Sequence, residues 1–83
     1  MQINKNIAIS ENGLLFHPGT GESFSLNPIG VEIINLIRQE KPFDAVADVI
    51  LEKYNTDRAT FDRDYTDFIG LLKHHRLLVE DDE

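Results

Sequence analysis

The first third of the chain contains three short runs in which apolar residues alternate with polar ones or cluster briefly. The first run covers residues 3–9, with isoleucines on one parity, and the others cover residues 14–17 and 23–26. Such runs are typical of half-buried strands. Asn-Gly at residues 12–13 and Pro-Gly-Thr-Gly at residues 18–21 favour tight turns between them, because glycine tolerates a positive φ. The pattern therefore predicts a three-stranded antiparallel meander.

The apolar spacing changes to that of a helix after Asn27. Asparagine is a good N-cap, and Pro28 fits the first helical position because its missing N–H costs nothing there. Apolar residues then recur every three or four positions in three stretches. The predicted helices run from about residue 29 to 39, from 43 to 54, and from a cap at Thr56 or Asp57 to about His74.

Near the end of the chain, residues 76–79 form a short apolar run that is capable of forming a strand. An acidic tail follows it. The tail, residues 80–83, is expected to be disordered. We predict one domain over residues 1–83. The order of elements predicts an α+β, winged helix-turn-helix-like fold, with an N-terminal three-stranded antiparallel sheet followed by a three-helix bundle.

Composition narrows the possible functions. The chain has no cysteine, which excludes disulfides, thiolate metal sites and cysteine nucleophiles. Its N-terminal residues are too polar for a signal peptide, and no apolar run approaches the roughly 20 residues that span a bilayer. We therefore expect a soluble, cytoplasmic protein without a membrane partner.

The remaining polar clusters do not predict catalysis, a metal or a cofactor. His74 and His75 are adjacent and project about 100° apart on a helix, so they cannot both bind one metal ion from it. The acidic residues of the third predicted helix alternate with its apolar stripe, as on a solvated face. The serines lack the glycine-framed turn of a nucleophile. The chain is not predicted to be an enzyme.

A three-helix domain with a small sheet could bind DNA, but the charge opposes it. The formal net charge is −7, which repels phosphate backbones. The third predicted helix carries four aspartates against Arg58, Arg63 and Lys73. A nucleic-acid-binding winged helix is therefore the weaker alternative, beside a structural adaptor docked permanently on an enzyme.

The strand predicted at residues 23–26 directly precedes the first helix, a position suited to a sheet edge. An edge strand offers unpaired backbone groups to an extended peptide, and Ser23 and Ser25 do little to block such pairing. The alternative is a hairpin strand that is covered within the domain. The pattern alone leaves both hypotheses open.

Four segments of the chain, in their order and spacing, resemble the PqqD family. The first is the strand-to-helix passage at residues 21–30, which contains Leu-Asn, and the second is the branched aliphatic helix at residues 31–37. A helix ending in an aromatic residue follows at residues 46–54. The last segment is an Asp-x-x-x-Phe helix with an aliphatic tail, carried by Asp64, Phe68, Ile69, Leu71, Leu72, Leu77 and Leu78.

This resemblance implies a peptide chaperone, or precursor-recognition element, of ribosomally made peptide natural products. Such domains resemble a winged helix without binding DNA. They hold the leader of a precursor peptide as an added strand and deliver it to a modifying enzyme, typically a radical-SAM enzyme. In the family the leader lies between the third strand and the third helix. The corresponding peptide-binding residues here are Glu22, Ser23, Phe24, Ser25, Leu26, Asp64, Phe68, Leu71 and His75.

Overall fold

The structure is a computed structural model of the chain, and it describes residues 2–79. Short strands precede three helices, so the predicted α+β order is confirmed. The predicted disorder of the acidic tail lies outside the described residues. The elements are β1 (Gln2–Ile3), β2 (Ala8–Ile9), β3 (Leu14–His17), β4 (Glu22–Ser25), α1 (Pro28–Arg38), α2 (Phe43–Lys53), α3 (Arg58–His74) and β5 (Leu78–Val79).

The predicted meander is present as an antiparallel sheet in the order β2-β3-β4. Gly13 precedes β3 with φ +89°, and Gly21 closes the next turn with φ +80°. Both angles are in the region that favours glycine, which confirms the two predicted turns. In the second turn the N–H groups of Thr20 and Gly21 both donate to the carbonyl of His17.

The prediction of one strand over residues 3–9 is wrong. Asn4 interrupts it, because its Oδ1 accepts a hydrogen bond from the N–H of Asn6 at 3.0 Å and turns the chain. Residues before this turn form β1, which pairs antiparallel with β5 in a second, two-stranded sheet. Residues after it form β2. The run at residues 76–79 does contain a strand, and its partner is the start of the chain.

The core lies between the three helices and the inner faces of both sheets. Leu15 of β3 is completely buried, as are Ile34 of α1, Ile50 of α2 and Leu72 of α3. Burial of one such side chain contributes about 1.5–3 kcal/mol. Strand β3 and all three helices therefore each supply at least one completely buried side chain. The packing of these side chains holds α1 and α3 beside β4.

The beginnings of α1 and α3 are fixed by side-chain caps. The Oδ1 of Asn27 accepts from the N–H of Gly30 at 2.8 Å, which confirms the predicted cap of α1. Asp57, rather than Thr56, caps α3 through the N–H of Thr60 at 2.8 Å. This hydrogen bond holds the pKa of the Asp57 carboxyl below its usual value.

Candidate functional site

Strand β4 lies at the edge of its sheet, with β3 on one side. The N–H of Leu26 donates to the carbonyl of Gly13 at 2.7 Å, so the backbone of Leu26 faces β3. Hydrogen-bonded pairs alternate along an antiparallel ladder, so Phe24, opposite Leu15, faces β3 as well. The N–H and C=O groups of Ser23 and Ser25 must therefore point away from β3, toward the free edge.

The pairing of β3 with β2 leads independently to the same alternation. The N–H of Ser10 donates to the carbonyl of Leu14 at 2.9 Å, so the backbone of Leu14 faces β2. Its neighbour Leu15 then faces β4, where its partner is Phe24. The outward backbone groups are thus those of Ser23 and Ser25.

A cleft of about 730 Å³ lies beside this edge, between β4, the start of α1, and α3. Its floor is apolar, and it includes Ile33 of α1, Ile50 of α2 and Phe61 of α3, all buried. Mostly apolar clefts with a few polar groups at the rim are the usual form of a binding site. This cleft is large enough for several side chains of an extended peptide.

Helix α3 forms the wall opposite β4. Asp64, Phe68, Leu71 and His75 are spaced by four, three and four residues, which places them on one face of the helix. Phe68 is half-buried, and a Cβ on Gly30 would lie 3.5 Å from its Cζ. Leu71 is 45% exposed although it is apolar. The middle of this wall therefore offers apolar contact area.

One end of the cleft is bounded by a contact between β4 and the end of α3. The Nδ1 of His75 lies 3.6 Å from the Oε1 of Glu22. The rings of His75 and Phe24 have their centroids 4.7 Å apart. Glu22 and His75 thus meet at this end and do not line the cleft itself.

The structure brings the other seven predicted residues together in the lining of the cleft: Ser23, Phe24, Ser25, Leu26, Asp64, Phe68 and Leu71. Sequence reasoning missed nine further lining residues. Gly30 could have been suspected, because a glycine in the first turn of a helix leaves room for a neighbour. The complete set of missed residues is Asn27, Ile29, Gly30, Ile33, Ile50, Thr56, Phe61, Tyr65 and Asp67.

Tyr65 belongs to an aromatic cluster at the margin of the cleft. Its ring centroid lies 4.9 Å from that of Phe43 and 5.5 Å from that of Phe61. Partial burial raises the pKa of the Tyr65 phenol, which is uncharged at neutral pH even at its ordinary pKa. It can therefore donate a hydrogen bond at the cleft without carrying a charge.

Residues 2–79 contain no group of three or more His, Cys, Asp or Glu side chains that could hold a metal ion. Within the same range, no helix is long and apolar enough to cross a membrane. The polar groups that line the cleft are backbone N–H and C=O groups, the hydroxyls of serine, threonine and tyrosine, the Asn27 amide and two carboxylates. This set suits hydrogen bonding to a peptide.

Comparison with known proteins identifies the family of the chain. The family model of coenzyme PQQ synthesis protein D (PqqD) matches residues 12–78, which include β3, β4 and all three helices. The chain belongs to the PqqD family. The resemblance inferred from the sequence motifs is thereby confirmed.

A solved structure similar to this PqqD-family chain is that of TbiB1 in complex with the TbiA(beta) leader peptide. The two proteins are 30% identical over the whole of both chains, with a TM-score of 0.84. None of the curated proteins compared with the chain is a significant match.

Proposed function

We propose that the chain is a non-catalytic peptide chaperone. It binds the leader segment of a ribosomal precursor peptide as an extra strand on β4 and presents it to a modifying enzyme. The observation that carries the proposal is the outward direction of the Ser23 and Ser25 backbone groups beside an apolar cleft. Strand addition requires this combination of an open edge and pockets for alternate side chains.

The backbone of β4 supplies the affinity that does not depend on the peptide sequence. Two N–H and two C=O groups, from Ser23 and Ser25, are available to a strand lying about 4.8 Å away. The short serine side chains are exposed and leave this approach open. Side chains of the added strand alternate, so every second one faces α3 and the cleft.

Helix α3 supplies selectivity among leader segments. Phe68 and Leu71 contact apolar side chains of the leader, and Asp64 lies at the rim of the cleft. Glu22 and His75 bound the segment at the other end. A small set of such contacts gives moderate affinity and fast exchange, which suit a carrier that must release its peptide to an enzyme.

Family membership and the TbiB1 structure support this role. TbiB1 is seen with a leader peptide, and the fold of this chain matches it along its whole length. In the PqqD family the enzyme that receives the peptide is typically a radical-SAM enzyme, and we propose such a partner here. The chain itself supplies recognition, and the enzyme supplies the chemistry.

The surface of α3 does not favour the alternative of nucleic-acid binding. Arg58, one of its cations, already bonds Asp62 at 3.0 Å and lies 3.6 Å from Asp44. Asp64 and Asp67 are both exposed at the cleft. A helix that entered a DNA groove would bring these carboxylates toward the phosphates.

A titration followed by amide chemical shifts tests the proposed function. The probe is a synthetic leader segment, taken from a precursor peptide whose gene neighbours that of this protein, and it is added to ¹⁵N-labelled protein. We expect shifts at residues 22–27 and along the Asp64–His75 face of α3. Shifts confined to the opposite side of the domain, around β1 and β5, would show that the leader binds elsewhere.

A further inference from the structure

We infer that the segment recognised in the cleft carries a lysine or arginine at the end that lies next to Asn27, where it faces Asp64 and Asp67. This inference rests on the proposed function and adds a sequence requirement to it. The peptide partner is thus an extended segment that is apolar in the middle and basic at one end.

The charge of the cleft lining is entirely negative among the residues the structure describes. Asp64 and Asp67 are its charged side chains, and they lie three residues apart on one face of α3. The Nε of Arg63 lies 4.0 Å from the Oδ1 of Asp64, with both side chains about 70% exposed. Such a contact neutralises little, because water screens it. Two carboxylates therefore remain available to a cation.

The direction of β4 relative to α3 fixes where these carboxylates lie along a bound peptide. Phe24 contacts His75 near the end of α3, whereas Gly30, just after Asn27, lies beside Phe68. The chain from β4 into α1 therefore passes α3 in the opposite direction. Asp64 and Asp67 precede Phe68 in α3, so they lie on the side of Phe68 away from His75, and this side corresponds to the Asn27 end of β4.

The distance along α3 sets the length of the recognised segment. His75 is eleven positions after Asp64 in the chain. At about 1.5 Å per helical residue this is about 16 Å, the span of about five residues of an extended strand. The basic residue and the His75 end are therefore about five peptide residues apart.

The start of α1 does not cancel the preference of the cleft for a basic residue. A helix N-terminus normally attracts anions through its free N–H groups. Here Pro28 has no N–H, and the N–H of Gly30 is already bonded to the side chain of Asn27 at 2.8 Å. Two full negative charges thus outweigh the partial positive charge that remains.

The experiment uses a phage-displayed library of random eight-residue segments, selected against the complete chain. A second selection uses the D64N/D67N variant. A third uses D48N/E52Q, which removes two exposed carboxylates of α2 outside the cleft. The two variants have the same net charge, so a difference between them reports the cleft and not the overall field.

We expect wild type and D48N/E52Q to enrich lysine or arginine at one end of an apolar segment, and D64N/D67N to lose that enrichment. A synthetic copy of a selected peptide should bind D64N/D67N several-fold more weakly, about two- to fivefold per carboxylate. The difference should shrink at about 0.5 M salt, because exposed charges are screened. A Lys→Gln change in the peptide should abolish the difference in affinity between the wild type and D64N/D67N.

The results that would overturn the inference differ in what they say about the proposed function. The selected peptides are also tested on a Ser25→Pro variant, which lacks the outward N–H of β4. Peptides that lose binding to this variant but show no basic enrichment would overturn the charge requirement alone. A failure to enrich any peptide, or peptides that bind the Ser25→Pro variant unchanged, would overturn strand addition together with it.

Discussion

Replacing Ser25 with proline should weaken binding of the leader peptide by about tenfold or more while leaving the domain folded. The N–H that proline removes points away from β3, so the sheet keeps its own ladder. Loss of one hydrogen bond costs about 0.5–1.5 kcal/mol, and the cost rises to about 1–3 kcal/mol where the peptide carbonyl is left buried without a donor. The proline ring also obstructs close approach of the added strand.

The matched control is Ser25→Ala, which removes the hydroxyl and keeps the N–H. It should bind the leader as the wild type does, and calorimetric titration of all three proteins makes the comparison. Thermal unfolding should show that the proline variant is folded. Equal affinity of the wild type and the proline variant would mean that the β4 edge does not pair with the peptide.

Replacing Gly13 with alanine should destabilise the protein by about 2–5 kcal/mol, the sum of a backbone cost and a steric cost. Gly13 has φ +89°, and an added Cβ would clash with the carbonyl oxygen of Leu26. A change of side-chain rotamer cannot relieve this clash, because the oxygen belongs to the backbone. Leu26 must shift and weaken the hydrogen bond between its N–H and the Gly13 carbonyl.

Gly21→Ala separates the two causes of that loss. Gly21 has a similar φ of +80°, but an added Cβ there would meet nothing within 4 Å. Its replacement should therefore cost only the backbone term, about 1–2 kcal/mol. Urea unfolding measures both. Equal losses would show that the contact between Gly13 and Leu26 does not constrain the end of β4.

The helices and turns could be predicted from the sequence because their causes are local. Asn27 and Asp57 cap the helices that follow them, and Gly13 and Gly21 lie in the turns where they were expected. The split of the first strand could not be predicted from parity. Ile3 and Ile7 are both buried, as one continuous strand would also require.

The pairing of β1 with β5 could not be predicted from local sequence patterns either. It joins Gln2 to Val79, and two-residue strands carry almost no periodic signal. The packing of the helices around the core brings these two strands together. Only the run of apolar residues at the end of the chain indicated that a strand could form there.

The candidate site also has a part that the sequence predicts and a part that it does not. Helical spacing was enough to place Asp64, Phe68, Leu71 and His75 on one face of α3. The floor of the cleft was not predicted, because Ile33 and Ile50 approach β4 only through the packing of α1 and α2. The outward direction of the serine backbones depends on the phase of the ladder, which the turn geometry sets.

Amide hydrogen exchange with and without the leader peptide tests the central claim most directly, because it reports single backbone groups. In the free protein the N–H groups of Phe24 and Leu26 face β3 and should exchange slowly, whereas those of Ser23 and Ser25 should exchange fast. Saturation with the leader should slow exchange at Ser23 and Ser25. Unchanged fast exchange at both serines in the saturated complex would contradict strand addition at β4.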